Sequence, residues 1–186
     1  GPHRTPTSNP LLAEPSDLRT TLWRGHLQIC QRNLQASQPG CWLFEIGHVF
    51  QPLDQKIVQS ARLGGVICGE RRVSRWATSG KALLPDYFMA RGALATVLNS
   101  LGLETQDRPL SDDSRLHPGR AAAVVVEGRT LGCFGQLHPM LCAQYELPDA
   151  TYLFDLDLHR LLEAVTRRNR WVPSFKAFST LPAMER

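Results

Sequence analysis

The sequence lacks any run of the roughly 18 apolar residues that a membrane-spanning helix needs, which excludes a helical membrane protein and a membrane partner of that kind. No secretory leader is expected: Gly1-Pro2-His3-Arg4-Thr5-Pro6-Thr7-Ser8 is polar and proline-broken, and Gly1-Pro2 reads as the scar of a tag-cleavage protease. There is no GxSxG elbow and no catalytic-cysteine signature, so nothing presents a nucleophile on a strained turn beside an oriented base. There is no Walker loop either. Gly64-Gly65 with Gly69 lacks the Lys-Ser/Thr pair that would complete a phosphate cradle. Cysteines are few and odd in number: Cys30, Cys41, Cys68, Cys133 and Cys142 include no CxxC pair, unlike a secreted disulfide framework. Most stand in apolar surroundings, such as Val66-Ile67-Cys68, and read as small buried hydrophobes of a reduced, intracellular protein. Cys133, His138 and Cys142 match no zinc spacing and lack a fourth ligand, so packing is the expected role.

What is present is a foldable, mildly basic composition. A hydrophobic fraction of 42% against 20% charged residues excludes intrinsic disorder, and 186 residues slightly exceed one typical domain. Lys and Arg number 21 against 17 Asp and Glu, a net +4 that permits a nucleic-acid partner without demanding one.

Periodicity then sets the element order. Residues 18–22 read as a short strand or turn. Leu27, Cys30 and Leu34 recur at helical spacing over 25–36, and Pro39-Gly40 stops that helix. Residues 41–50 and 61–70 read as strands, the glycines of the second marking a bulge or a close backbone approach. Residues 86–101 read as a helix with Phe88, Leu94, Val97, Leu98 and Leu101 as its apolar stripe, ended by Gly102. Residues 104–120 read as irregular. Residues 122–126 and 131–135 flank Glu127-Gly128-Arg129-Thr130 as a β-hairpin. A short helix follows His138-Pro139, a strand runs over 151–157, a helix over 158–168, and an extended tail over 171–182. This order implies an α+β fold with a mainly antiparallel sheet flanked by helices.

Little in this pattern carries chemistry by itself. His117 and His138 each precede proline, the mark of a loop-to-element junction. Asp112-Asp113 lie in a polar loop and read as solvated. Asp155 and Asp157 share one strand face, which suits a partner arginine as well as a metal. Arg71-Arg72-Arg75-Trp76 and Arg167-Arg168-Asn169-Arg170-Trp171 pair basic residues with an aromatic ring. That is the arrangement for phosphate contact and base stacking, and equally for a solvated face whose Trp covers core.

One segment narrows the reading. Leu43-Phe44-Glu45-Ile46-Gly47-His48-Val49-Phe50 resembles the strand that carries motif 2 in class II aminoacyl-tRNA synthetases. With Asn9-Pro10-Leu11, Leu18-Arg19-Thr20-Thr21-Leu22, Leu116-His117-Pro118-Gly119-Arg120, Gly132-Cys133-Phe134-Gly135-Gln136-Leu137-His138-Pro139 and Phe175-Lys176-Ala177-Phe178-Ser179-Thr180-Leu181-Pro182, it is similar to the beta subunit of bacterial, cyanobacterial-like phenylalanyl-tRNA synthetase. The resemblance implies a class II synthetase-like core, a non-catalytic copy within a cytoplasmic heterotetramer. In that enzyme the alpha subunit handles phenylalanine and ATP, ATP and magnesium are cofactors of the whole enzyme, and tRNA(Phe) is charged.

No catalytic, cofactor or metal residue is therefore expected in this chain. Gln51-Pro52-Leu53 follows Phe50 where a working site continues into an arginine, and a neutral amide cannot give its charge-assisted phosphate contact. Arg24 and His26 depart from the family, which more often has Pro and an apolar residue there. The resemblance divides the chain into a tag remnant or linker (1–8), a core module incomplete on its N-terminal side (9–182), and the start of a linker to an anticodon-recognition domain (183–186). An excised core of this kind should leave an apolar sheet face or edge uncovered. Arg167, Arg168 and Arg170 are the residues expected to touch tRNA. A free-standing synthetase-like paralogue acting as an RNA-binding or regulatory module is the alternative reading.

Overall fold

The computed structural model describes residues 5–6, 17–53, 56–70 and 83–170. The described elements run β1 (Thr5–Pro6), β2 (Asp17–Leu18), α1 (Trp23–Gln35), β3 (Gly40–Leu53), β4 (Lys56–Gly69), α2 (Tyr87–Ser100), β5 (Gln106–Pro109), β6 (Leu116–Val126), β7 (Arg129–Leu137), α3 (Pro139–Gln144), β8 (Thr151–Asp157) and α4 (Leu158–Arg170). β1 and β2 form a two-stranded sheet of their own. The other six strands make one sheet in the order β3-β4-β8-β7-β6-β5, antiparallel at every junction. The expected α+β class and antiparallel sheet are what the chain forms.

Strand alternation sends neighbouring side chains to opposite faces, and both faces are covered. On one side Ile67, Phe134, Tyr152 and Leu156 pack with Ala90, Leu94 and Leu98 of α2 and with Leu161 and Ala164 of α4. On the other, Val66, Cys68, Cys133 and Leu153 pack with Leu27 and Cys30 of α1 and with Cys142 of α3. Burying a Leu or Phe side chain fully contributes about 1.5–3 kcal/mol, so these two layers hold the sheet in place.

Local chemistry sets the element ends. Asp86 caps α2 by accepting from the Met89 amide at 2.6 Å, and Gly102 takes φ +75° just past the helix. His138 caps α3, its Nδ1 accepting from the Met140 amide at 3.2 Å with Pro139 in the first turn. Positive φ at Glu127 (49°) and Gly128 (78°) gives the β6–β7 hairpin the two-residue turn that matches strand twist.

Several expectations need correction. Residues 104–120 are not irregular throughout. They hold β5, exposed at the sheet edge where Pro109 is tolerated, and the start of β6. The hairpin of β3 and β4 is longer than the readings 41–50 and 61–70. Pairing continues to Leu53↔Lys56, whereas β8 pairs with β4 only over Arg62–Cys68, so residues 50–53 and 56–60 extend beyond their neighbour strand. The α2 stripe is Ala90, Leu94 and Leu98; Phe88 is 82% exposed and Val97 50%, because the sheet meets only the i, i+4, i+8 line. The register between β3 and β4 is continuous at Gly64-Gly65, so the glycines mark close approach rather than a bulge. The tail over 171–182 and the Arg71–Trp76 cluster lie outside the described residues.

Candidate functional site

The residues with most chemistry converge on the face of the sheet that carries α1. Arg62 of β4 stands in register opposite Asp157 of β8. Its Nε donates to Asp155 Oδ1 at 2.8 Å, and its Nη1 lies 3.7 Å from Asp157 Oδ2. Arg115, just before β6, donates from Nη1 to the other oxygen of Asp155 at 2.7 Å and from Nε to Asp113 Oδ1 at 2.8 Å. One carboxylate is thus shared by two guanidinium groups. The side chains of all five residues are only 16–24% exposed.

Burial alone would push the Asp113 carboxyl up, but the hydrogen bonds and charge of Arg115 outweigh it and hold the group below its ordinary range. Arg115 is shifted further towards its charged form: burial opposes the charge, and the bond to Asp113, the neighbouring Cys133 and the bond to Asp155 more than offset it. Cys133 lies with its Sγ 3.3 Å from Arg115 Nη2, and burial first of all pushes its thiol up to about 12. It is a packed thiol and no nucleophile.

Arg62, Asp113, Arg115 and Asp155 of this network floor a cleft of about 610 Å³ whose other walls include Thr20, Trp23, Val49, Gln51, Ser60 and Asp112. The strand expected to carry motif 2 forms one side of it. Glu45 of β3 bonds Arg19 Nη1 at 2.6 Å and faces His26 Nε2 at 3.3 Å. Arg19 Nε reaches the His48 carbonyl at 2.8 Å, and the Phe50 amide donates to the Arg19 carbonyl at 2.9 Å. A Cβ at Gly47 would drive into the Arg19 guanidinium, so the glycine of Phe-Glu-Ile-Gly makes room for this clasp. His26 is 1% exposed. Burial lowers its pKa, partly opposed by its bond to Glu45. Arg24 lies over the Trp23 ring, 5.6 Å from its centroid.

The sequence-predicted site residues fall elsewhere. Arg167 is on α4, half-buried, its Nε 3.5 Å from Glu127 Oε2, beside a shallow groove shared with Arg129, His159 and Thr166. Arg168 and Arg170 continue α4, and their side chains lie outside the described residues. The expected arginine partner of Asp155 and Asp157 is present in duplicate. Asp113, by contrast, is not solvated as expected but clamps Arg115. Arg62 and Arg115 were not singled out by the sequence reading. Arg62 did carry a signal, being the only charge between Ile57 and Gly69 and thus marked for pairing in a strand interior.

Comparison with known proteins decides the family. A family model described as phenylalanyl tRNA synthetase beta chain CLM domain matches residues 2–158. The chain belongs to this CLM domain family. Within it, the chain is 62% identical over 98% of its length to a protein named phenylalanine–tRNA ligase beta subunit from Parasynechococcus marenigrum strain WH8102, and covers 22% of that protein. The likeness is 59% over the whole chain for the Synechococcus sp. strain CC9902 protein of the same name, of which it covers 23%. It is 38% over 96% of the chain for the Prochlorococcus marinus strain CCMP1986 protein. The chain spans less than a quarter of the length of these curated relatives. The CLM domain also shares its fold with the pyrrolysyl tRNA synthetase PylSc of Desulfitobacterium hafniense, at a TM-score of 0.58 and 15% identity, covering 89% of this chain and 53% of that one. That likeness is one of fold alone. Among the described residues no helix is long and apolar enough to cross a membrane.

Proposed function

We propose that this chain is a non-catalytic core module of a phenylalanyl-tRNA synthetase beta subunit. It supports attachment of phenylalanine to tRNA(Phe) in the cytoplasm by packing against the catalytic alpha subunit and helping to position the tRNA. The observation that carries this reading is the state of the cleft: both arginines that line it are already bound to carboxylates of the same chain. ATP and magnesium, which the whole enzyme needs, do not fit these residues. The lining cations are already paired with carboxylates of the chain, Gln51 offers a neutral amide, and Asp113, Asp155 and Asp157 are engaged by arginine rather than free to hold a metal. In this reading the nucleotide chemistry belongs to the alpha subunit.

Two surfaces support the partner part of the reading. Phe44 and Ile46 are 73% and 60% exposed on the same face of the edge strand β3, a pair of large apolar side chains that suits a subunit contact. On α4, Arg167, Arg168 and Arg170 are the residues we assign to tRNA backbone contact. The core module is taken as residues 9–182, with 1–8 a tag remnant or linker and 183–186 leading towards an anticodon-recognition domain.

The test is co-expression of the chain with the alpha subunit of a cyanobacterial enzyme, followed by capture through a tag on either chain. Stoichiometric co-purification is expected, and it should be lost in F44S/I46S. Alpha subunit that emerges without this chain would overturn the reading.

A further inference from the structure

The arrangement around Asp155 has a meaning of its own, separate from the family. Two guanidinium groups aimed at one small oxyanion are the means by which proteins clamp phosphate, because each planar fork offers paired donors of fixed geometry. Here the clamped oxyanion is internal: Asp155 gives one oxygen to Arg62 at 2.8 Å and the other to Arg115 at 2.7 Å. Asp113 accepts further donors of Arg115, and Asp157 stands in an ion pair with Arg62 at 3.7 Å. Arg62 and Arg115 therefore share an open cleft of about 610 Å³ with Asp112, Asp113 and Asp155, while Asp157 flanks Arg62 from outside the lining.

We propose that this cleft is a latent phosphate site held shut by its own carboxylates, with Asp155 standing where a phosphate oxyanion would bridge Arg62 and Arg115. Asp155 and Asp157 are then the specificity determinants that deny the cleft to polyphosphates. The absence of an arginine at Gln51 is not by itself enough to explain the closure, since two other arginines are in place. Asparagine is nearly isosteric with aspartate, so exchange at 155 and 157 leaves the volume and removes the competing charge. Counting Arg62 and Arg115 against Asp112, Asp113, Asp155 and the flanking Asp157, the net charge passes from −2 to 0. At 155 the new amide can accept from only one arginine, which releases donors of the other. At 157 the amide oxygen that D157N introduces can still accept the backbone bond that Asp157 takes from the Arg160 amide at 3.0 Å.

The probe is inorganic pyrophosphate, titrated calorimetrically into the 186-residue chain at low ionic strength. D155N/D157N is expected to bind it at least tenfold more tightly than the unaltered chain, D155N alone by an intermediate margin, and D155N/D157N/R62M no better than the unaltered chain. A folded double variant that binds no more tightly than the parent overturns the proposal. So does binding that survives R62M, which would place the anion elsewhere. Should the double variant fail to unfold cooperatively on heating, D155N alone is read by the same criterion. Failure here leaves the subunit assignment standing, because co-purification with the alpha subunit is read separately.

Discussion

Arg62 Nε and Asp155 Oδ1 meet at 2.8 Å across β4 and β8, a contact that joins positions 93 residues apart in sequence. Its partner network stands in a cleft that would otherwise expose two arginines to solvent anions. The pairing has consequences for stability as well as for ligand exclusion.

Removing the cation leaves carboxylates that are about one-fifth exposed without their counter-charge. Arg62→Met should destabilise the chain by about 1–3 kcal/mol, less than for a fully buried pair because water still reaches the cleft. The measurement is urea unfolding of parent and variant. An R62M variant that additionally carries D155N and D157N should recover part of the loss, since it leaves fewer uncompensated charges behind.

Acid should unfold the chain in two stages. The folded state holds His26 below its ordinary pKa through burial, so it disfavours the proton that the unfolded chain accepts as pH falls below about 6.5. Stability contributed by neutral His26 is thus present above that value and declines as pH falls towards the depressed pKa. Asp113 and Glu45 are also held low, burial being outweighed by Arg115 and by Arg19 respectively. Their contribution is present above the ordinary carboxylate range, about pH 4, and is lost below it. Thermal unfolding from about pH 3 to about pH 8 should show both stages. H26Q should flatten the upper one, and D113N should reduce the lower one.

Gly65 faces Phe154 across β4 and β8, and a Cβ there would drive into the aromatic ring, with the Leu43 carbonyl only 2.7 Å away. Gly65→Ala should therefore cost about 1–3 kcal/mol through overpacking. Gly92, on the open side of α2, has nothing within 4 Å of its Cβ position. Gly92→Ala should stabilise the chain by up to about 1 kcal/mol through helix propensity. Opposite signs for the two variants in the same unfolding assay are the expected outcome.

The apolar pair on β3 should make the isolated chain self-associate. Light scattering is expected to show species larger than a monomer, and an apolar dye to bind. F44S/I46S should reduce both while changing stability by no more than about 0.5 kcal/mol, because these side chains are mostly exposed. A parent chain that is a clean monomer and binds no dye would contradict the reading of this face.

Local chemistry was the legible part of this fold. The strand over 151–157 and the hairpin about Glu127-Gly128 could be read because alternation and turn residues report on their own neighbourhood. β5 was hidden because an exposed edge strand needs no apolar pattern, and the outer part of the β3–β4 hairpin because Pro52 looks like a strand end. The missing cation after Phe50 was legible in sequence. The closure of the cleft was not, since it needs Arg62, Asp113, Arg115 and Asp155 brought together by sheet order. Asp113 in particular looked solvated because its partner two residues on, Arg115, is itself fixed by a strand 40 residues away.

The most direct test of a non-catalytic module is phenylalanine-dependent exchange of labelled pyrophosphate into ATP by the purified 186-residue chain. The account predicts no exchange above the protein-free blank. Exchange that requires this chain, and that falls when Arg62 or Arg115 is replaced, would contradict it.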